Sequence, residues 1–166
     1  MIQLTSHQHA DTVDLGRRLA ALTQPGDVLG LDGQLGAGKT QLVRGLALGL
    51  GLDPAQVSSP TFVIMHEYEA DHAPTLLLHL DAYRLAGPDE LETIGFDDEL
   101  RRQAVSAIEW ASIIRPALGP DRLDIEISHV GETDRLIELT PHGSWIPRLA
   151  NWTAPAPTTT TPRPTP

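Results

Sequence analysis

The segment that most constrains this chain is Gly33-Gln-Leu-Gly-Ala-Gly-Lys39-Thr40. It fits G-x-x-x-x-G-K-[ST], the Walker A pattern, in the setting that pattern requires: an apolar run at 27–32 before it and a helix-patterned stretch at 39–50 after it. A glycine-rich turn from a strand into a helix lets backbone N–H groups converge on phosphate oxygens, and the helix N-terminus adds partial positive charge. Lys39 would bring a full charge to the β- and γ-phosphates, and the Thr40 hydroxyl would ligate Mg²⁺. These residues point to nucleotide binding on an α/β framework.

Lysine usage narrows the nucleotide. Of 12 basic residues 11 are arginine, and Lys39 is the single lysine. A guanine-reading Asn-Lys-x-Asp motif needs a second lysine, so a Ras-like GTPase is excluded and ATP is expected. The 12 basic residues stand against 22 acidic ones, a formal net charge of −10. That balance speaks against a broad basic surface, and so against DNA as a partner. The chain has no cysteine, which excludes disulfides, thiolate-bound metal centres and thiol catalysis. The start, Met1-Ile-Gln-Leu-Thr-Ser6, has no signal-peptide pattern, and no apolar run approaches the roughly 18 residues that span a bilayer. A soluble cytoplasmic protein without a membrane partner is expected.

Residues 1–150 read as one domain and 151–166 as a disordered tail rich in proline and threonine. Within the domain, periodicity predicts helices at 11–22 and 39–50, with short ones at 89–94 and 97–103. Strands are predicted at 27–32, 62–68, 75–80, 105–109, 122–129 and 135–140. Strands and helices interleaved in this way imply an α/β, P-loop NTPase-like sandwich: a partly parallel, mixed central sheet flanked by helices.

Two apolar runs end in acids, Leu76-Leu-Leu-His-Leu-Asp81 and Ala107-Ile-Glu109-Trp110. Open α/β sheets bind ligands beyond the carboxyl ends of their strands, so both acids are placed near the metal. The sequence leaves open which of them touches it and which orients water. Ser59-Pro60-Thr61 is either a γ-phosphate-sensing segment or a plain turn, and Arg84 either reaches phosphate or a partner or forms a surface ion pair. The seven histidines show no metal-ligand spacing and read as ordinary residues. Trp110 either packs near the nucleotide or fills the core, the second favoured, and Arg101-Arg102 either reach phosphate as a lid or form a solvated helix face, again the second favoured.

The Walker A segment, Ser59-Pro-Thr-Phe62, His79-Leu-Asp-Ala-Tyr-Arg-Leu85 and Glu109-Trp110, in that order and spacing, closely resemble the TsaE family, formerly YjeE. Asp89-Glu-Leu-Glu-Thr-Ile-Gly95 resembles that family's acidic helix, and the resemblance covers about residues 6–140. It implies an ATPase required for threonylcarbamoyl modification of adenosine 37 in tRNAs that read ANN codons. The partner it implies is the TsaB–TsaD complex, with tRNA reached indirectly through that complex. It further implies that Gly36, Ala37, Gly38, Lys39, Thr40 and Gln41 bind ATP, and that Thr40 and Glu109 hold Mg²⁺. Asp81 matches a functionally important acid and is a further metal candidate. Thr12 and Arg135 match residues near the nucleotide. Lys39, Asp81 and Glu109 are thus the expected catalytic residues. The chain departs from the family pattern at Gln34, where an acid is usual, and at His66-Glu67-Tyr68, where the acid is moved by one residue. In a strand that shift turns the acid to the other face.

No arginine sits in a recognised finger motif, so an ATPase that is weak alone and stimulated by its partners is expected. Two other readings share the phosphate loop. A small-molecule kinase would also need an acceptor pocket and a closing basic lid; a nucleotide-gated binding module would use ATP to switch partner affinity.

Overall fold

The computed structural model describes residues 1–60, 64–69, 75–91, 93–96 and 103–152. Among the described residues seven strands form one sheet: β1 (Ile2–Ser6), β2 (Val28–Gly33), β3 (Met65–Tyr68), β4 (Leu76–Asp81), β5 (Ala104–Glu109), β6 (Leu123–His129) and β7 (Arg135–Pro141). Their order is β1-β7-β6-β2-β5-β4-β3. The central four, β6-β2-β5-β4, are parallel, and antiparallel strands close both edges. The sheet is therefore mixed, as the alternation of elements predicts.

Strand composition follows from burial. β2, β4 and β5 are covered on both faces and read as near-continuous apolar runs. β6 and β7 alternate instead: Leu123, Ile125, Ile127, Ile137 and Leu139 point into the core, while Asp124, Glu126, Glu138 and Thr140 face outward. One face of the sheet is covered by three helices, α1 (His9–Ala20), α2 (Lys39–Gly49) and α3 (Trp145–Ala150). Among the described residues the other is covered by the irregular segments at 82–91, 93–96 and 111–118 through Leu85, Leu91, Phe96, Ile114 and Leu118.

α1 and α2 touch backbone to backbone. A Cβ on Gly45 would lie 2.0 Å from the Val13 carbonyl oxygen and 2.9 Å from the Gly16 Cα. This close crossing fixes α2, and with it the helix N-terminus that follows the glycine-rich loop.

Two elements were not foreseen. β1 has only Ile2 and Leu4 as apolar signal, and it exists by pairing with β7 (Ile2↔Leu139, Leu4↔Ile137). α3 has six residues, too few to show a period; the fully buried Trp145 and the Arg148–Asp27 ion pair (2.5 Å) hold it. Within the expected helix at 89–94, the described residues form 3-10 turns: Leu91 N–H donates to Pro88 O and Thr93 N–H to Glu90 O, each three residues back. The expected helix at 97–103 lies outside the described residues except for Gln103. Packing continues to the half-buried Trp152; the tail from 153 lies outside the described residues. Among the described residues no helix is long and apolar enough to cross a membrane.

Candidate functional site

β2 feeds directly into the loop at 34–38, and α2 starts at Lys39. Gly38 is the N-cap, with φ 113°, a left-handed conformation natural to glycine, and no side chain caps the helix among the described residues. The first N–H groups of a helix have no partner inside it, so those of Lys39, Thr40 and Gln41 are available to an anion. Gly36, Gly38, Lys39, Thr40 and Gln41 line a cleft of about 630 Å³ together with Asp81, Glu109 and Trp110.

Lys39 is buried. Its ammonium donates to Gly33 O at 2.8 Å and Gln34 O at 3.1 Å, and lies 4.2 Å from the centre of the Trp110 ring. Burial holds its pKa below the usual lysine value, against the pull of Glu109, Asp81, Asp32 and Glu126. Thr40 Oγ1 donates to Glu109 Oε1 at 2.8 Å, joining the helix start to the end of β5. The parallel register of β4 and β5 sets Asp81 beside Glu109, and Asp81 Oδ1 accepts the Tyr83 N–H at 2.9 Å.

The two carboxylates are held differently. Burial pushes Asp81 above the usual aspartate range, and the neighbouring Glu109 charge adds to this. Burial pushes Glu109 upward too. Hydrogen bonds from His79 and Thr40, with the Lys39 charge, outweigh that and leave it below its usual value. The site therefore holds one firmly ionised carboxylate beside a threonine hydroxyl, and a second acid that ionises less readily.

Three expected residues lie behind the loop rather than on the cleft. Ala37 is buried, and its carbonyl accepts Arg135 Nε–H at 3.1 Å. The buried Thr12 shares a 2.8 Å hydrogen bond with Ser6 Oγ, and its methyl lies 3.8 Å from where a Cβ on Gly38 would stand. Arg135 and Thr12 thus brace the loop from outside. Ser59 lines the cleft, whereas Thr61, Arg101 and Arg102 lie outside the described residues. Glu67 is exposed on β3, on the face opposite His66 and the buried Tyr68.

Three further residues build the site. Trp110, for which the sequence favours core filling over packing near the nucleotide, has φ 58°, and among the described residues it is the non-glycine residue in the left-handed region. That conformation costs about 1–2 kcal/mol; it turns the chain directly after Glu109 and sets the indole over Lys39, with the Tyr83 ring 5.1 Å away. Asp32 accepts Ser112 N–H at 3.0 Å and pairs with Arg115, anchoring the end of β2. His79, read as ordinary, is fully buried and donates from Nε2 to Glu109 Oε1 at 2.9 Å. Its presence in the run ending at Asp81 was visible in the sequence; its reach to β5 depends on strand register, which no local signal carries.

The donor set of one hydroxyl and two carboxylates is all oxygen, which suits a hard cation such as Mg²⁺. Among the described residues no group of three or more His, Cys, Asp or Glu side chains could hold a metal. Mg²⁺ at nucleotide sites takes its remaining ligands from phosphate and water.

The family model described as "Threonylcarbamoyl adenosine biosynthesis protein TsaE" matches residues 6–137. The chain belongs to the TsaE family. Among TsaE relatives, the tRNA threonylcarbamoyladenosine biosynthesis protein TsaE of Bacillus subtilis is 42% identical over 134 residues, covering 81% of this chain and 82% of its own. The Streptomyces coelicolor protein of the same name is 48% identical over 124 residues, 72% of this chain and 81% of its own. The crystal structure of Bacillus subtilis YdiB superposes with a TM-score of 0.70 at 34% identity, covering 90% of both chains. The matched span runs from Ser6 to Ile137 within β7, so all the cleft residues fall within the TsaE match.

Proposed function

We propose that this chain is the Mg²⁺-dependent, ATP-binding and ATP-hydrolysing component of the tRNA N6-threonylcarbamoyladenosine machinery. It acts in the cytoplasm with a TsaB–TsaD complex and reaches tRNA through that complex. The observation that carries the reading is the Thr40–Glu109 hydrogen bond at an uncapped helix N-terminus beside a buried lysine.

With its proton committed to Glu109, Thr40 Oγ1 keeps its lone pairs for a cation. Thr40 and the ionised Glu109 would hold the metal, and Asp81 would orient water beside them. Mg²⁺, when bound, neutralises charge building on the β- and γ-phosphate oxygens. Lys39 exchanges two loop carbonyls for phosphate oxygens, and the free N–H groups of the loop and helix start hold the phosphate chain. Trp110 and Tyr83 wall the cleft and limit water at the lysine.

Among the described residues no arginine lines the cleft. Transition-state charge supplied in trans raises phosphoryl transfer by roughly 10³–10⁵-fold, which supports slow turnover alone and stimulation by partners. The test is steady-state ATP hydrolysis by the purified chain, titrated with TsaB–TsaD, alongside nucleoside analysis of tRNA from a depleted strain. A large rise on adding the complex, and loss of threonylcarbamoyladenosine in the strain, are expected. Vigorous hydrolysis unchanged by the complex, or unaltered tRNA, would refute the proposal.

A further inference from the structure

We infer that His79 is a positioning residue that sets the orientation of Glu109 for the cation, an inference that rests on the Mg²⁺ reading above. β4 and β5 run parallel with His79 beside Ala107 and Asp81 beside Glu109. His79 and Glu109 are therefore diagonal neighbours on the sheet face that packs against α2. The imidazole is wholly buried, and its Nε2 meets Glu109 Oε1 at 2.9 Å, the oxygen that Thr40 Oγ1 reaches at 2.8 Å. Among the described residues both donors converge on Oε1 and none on Oε2. The carboxylate is thereby pinned about one oxygen and offers the other to the cation.

Packing does not account for a histidine here. Its neighbours along the strand, Leu77, Leu78 and Leu80, are fully buried, and a leucine would fill the place without polar atoms. The Nδ1 atom is buried with no hydrogen-bond partner among the described residues. A fold that leaves one ring nitrogen unsatisfied retains the other for its bond to Glu109. The ring is kept in place from the edge strand by Tyr68, 6.4 Å away between centroids, whose hydroxyl is in turn fixed at 3.0 Å from His66 Nδ1.

Three variants separate positioning from packing. His79→Leu fills the volume without a donor, His79→Gln places an amide N–H near the position of Nε2, and His79→Asn carries an amide too short to reach. A fluorescent ATP analogue is titrated against each full-length protein over a Mg²⁺ series and in EDTA, with melting followed in parallel. Groups that orient metal ligands typically contribute 10–100-fold to metal affinity. We expect a loss of that size in Mg²⁺-dependent binding for His79→Leu and His79→Asn, unchanged binding in EDTA, and recovery of most of the loss in His79→Gln. Wild-type Mg²⁺ dependence in His79→Leu, or a His79→Gln variant no better than His79→Asn, overturns the inference while leaving the metal reading intact. If His79→Leu does not fold, the Gln–Asn comparison decides alone. Nucleotide binding by the wild type that is indifferent to Mg²⁺ overturns the metal reading and this inference together.

Discussion

Lys39→Met removes the chain's single lysine ammonium while keeping most of the apolar stem. The ammonium sits 2.8 and 3.1 Å from two loop carbonyls and 4.2 Å from the Trp110 ring centre, so it is already at the floor of the cleft. A unit charge about 4 Å from a phosphate charge, at an effective dielectric near 20, contributes about 4 kcal/mol. That corresponds to a loss of about 10³-fold in ATP affinity. The fold should not suffer. Burial lowers the folded-state pKa of Lys39, so the folded chain disfavours the ammonium relative to the unfolded chain. This penalty is present at neutral pH and is relieved only as pH rises through the folded value. Removing the charge should leave the melting temperature at pH 7 no lower than that of the wild type. The assay is titration with a fluorescent ATP analogue at saturating Mg²⁺, paired with a thermal melt. An affinity within about tenfold of wild type in a folded Lys39→Met protein would refute the assignment of Lys39 to the phosphates.

Thr40→Val deletes a hydroxyl bonded to a charged acceptor, worth about 1.5–3 kcal/mol; Mg²⁺-dependent nucleotide binding should fall about 10–100-fold, binding in EDTA should hold, and Thr40→Ser should restore the difference. Asp81→Asn should raise the melting temperature at pH 7 while lowering hydrolysis. The folded pKa of Asp81 is raised, so its ionised form opposes folding at neutral pH, and the gain should vanish as pH falls below the ordinary aspartate range, where both states hold the neutral acid. A melting curve that is lower at pH 7, or a gain that persists in acid, contradicts this. Gly45→Ala places a Cβ 2.0 Å from Val13 O; overpacking of this kind costs about 1–3 kcal/mol and should lower the melting temperature by about 2–4 °C per kcal/mol.

The strand, glycine-rich loop and helix around Lys39 were legible because their signals are local: the strand, the glycines, Lys39 and Thr40 are contiguous, and each restricts the backbone on its own. The acids Asp81 and Glu109 were legible as strand ends, and their placement follows from the rule that parallel sheets gather ligands there. What could not be read depends on pairing. Thr40 and Glu109 meet across 69 residues, and Arg135 reaches Ala37 O across 98. His79 differs from its leucine neighbours in function only because β4 lies beside β5 in one register. β1 and α3 were missed for the same reason. Their own patterns are too short to declare a structure, and contacts with β7 and with Asp27 make them. The turn at Pro88–Glu90 shows the converse, a helical pattern of acids and apolar residues that the backbone closes with bonds three residues back.

The central claim, that ATP and Mg²⁺ meet at Thr40 and Glu109, is tested most directly by a crystal structure of the full chain with a non-hydrolysable ATP analogue and Mn²⁺, the metal located by anomalous scattering. The account predicts the β- and γ-phosphates cradled by the loop at 34–38, Lys39 Nζ turned from its carbonyls onto phosphate oxygens, and the metal about 2.1 Å from Thr40 Oγ1, with Glu109 beside it. A metal peak away from Thr40, or a nucleotide bound outside the cleft with Lys39 still on Gly33 O, would contradict it.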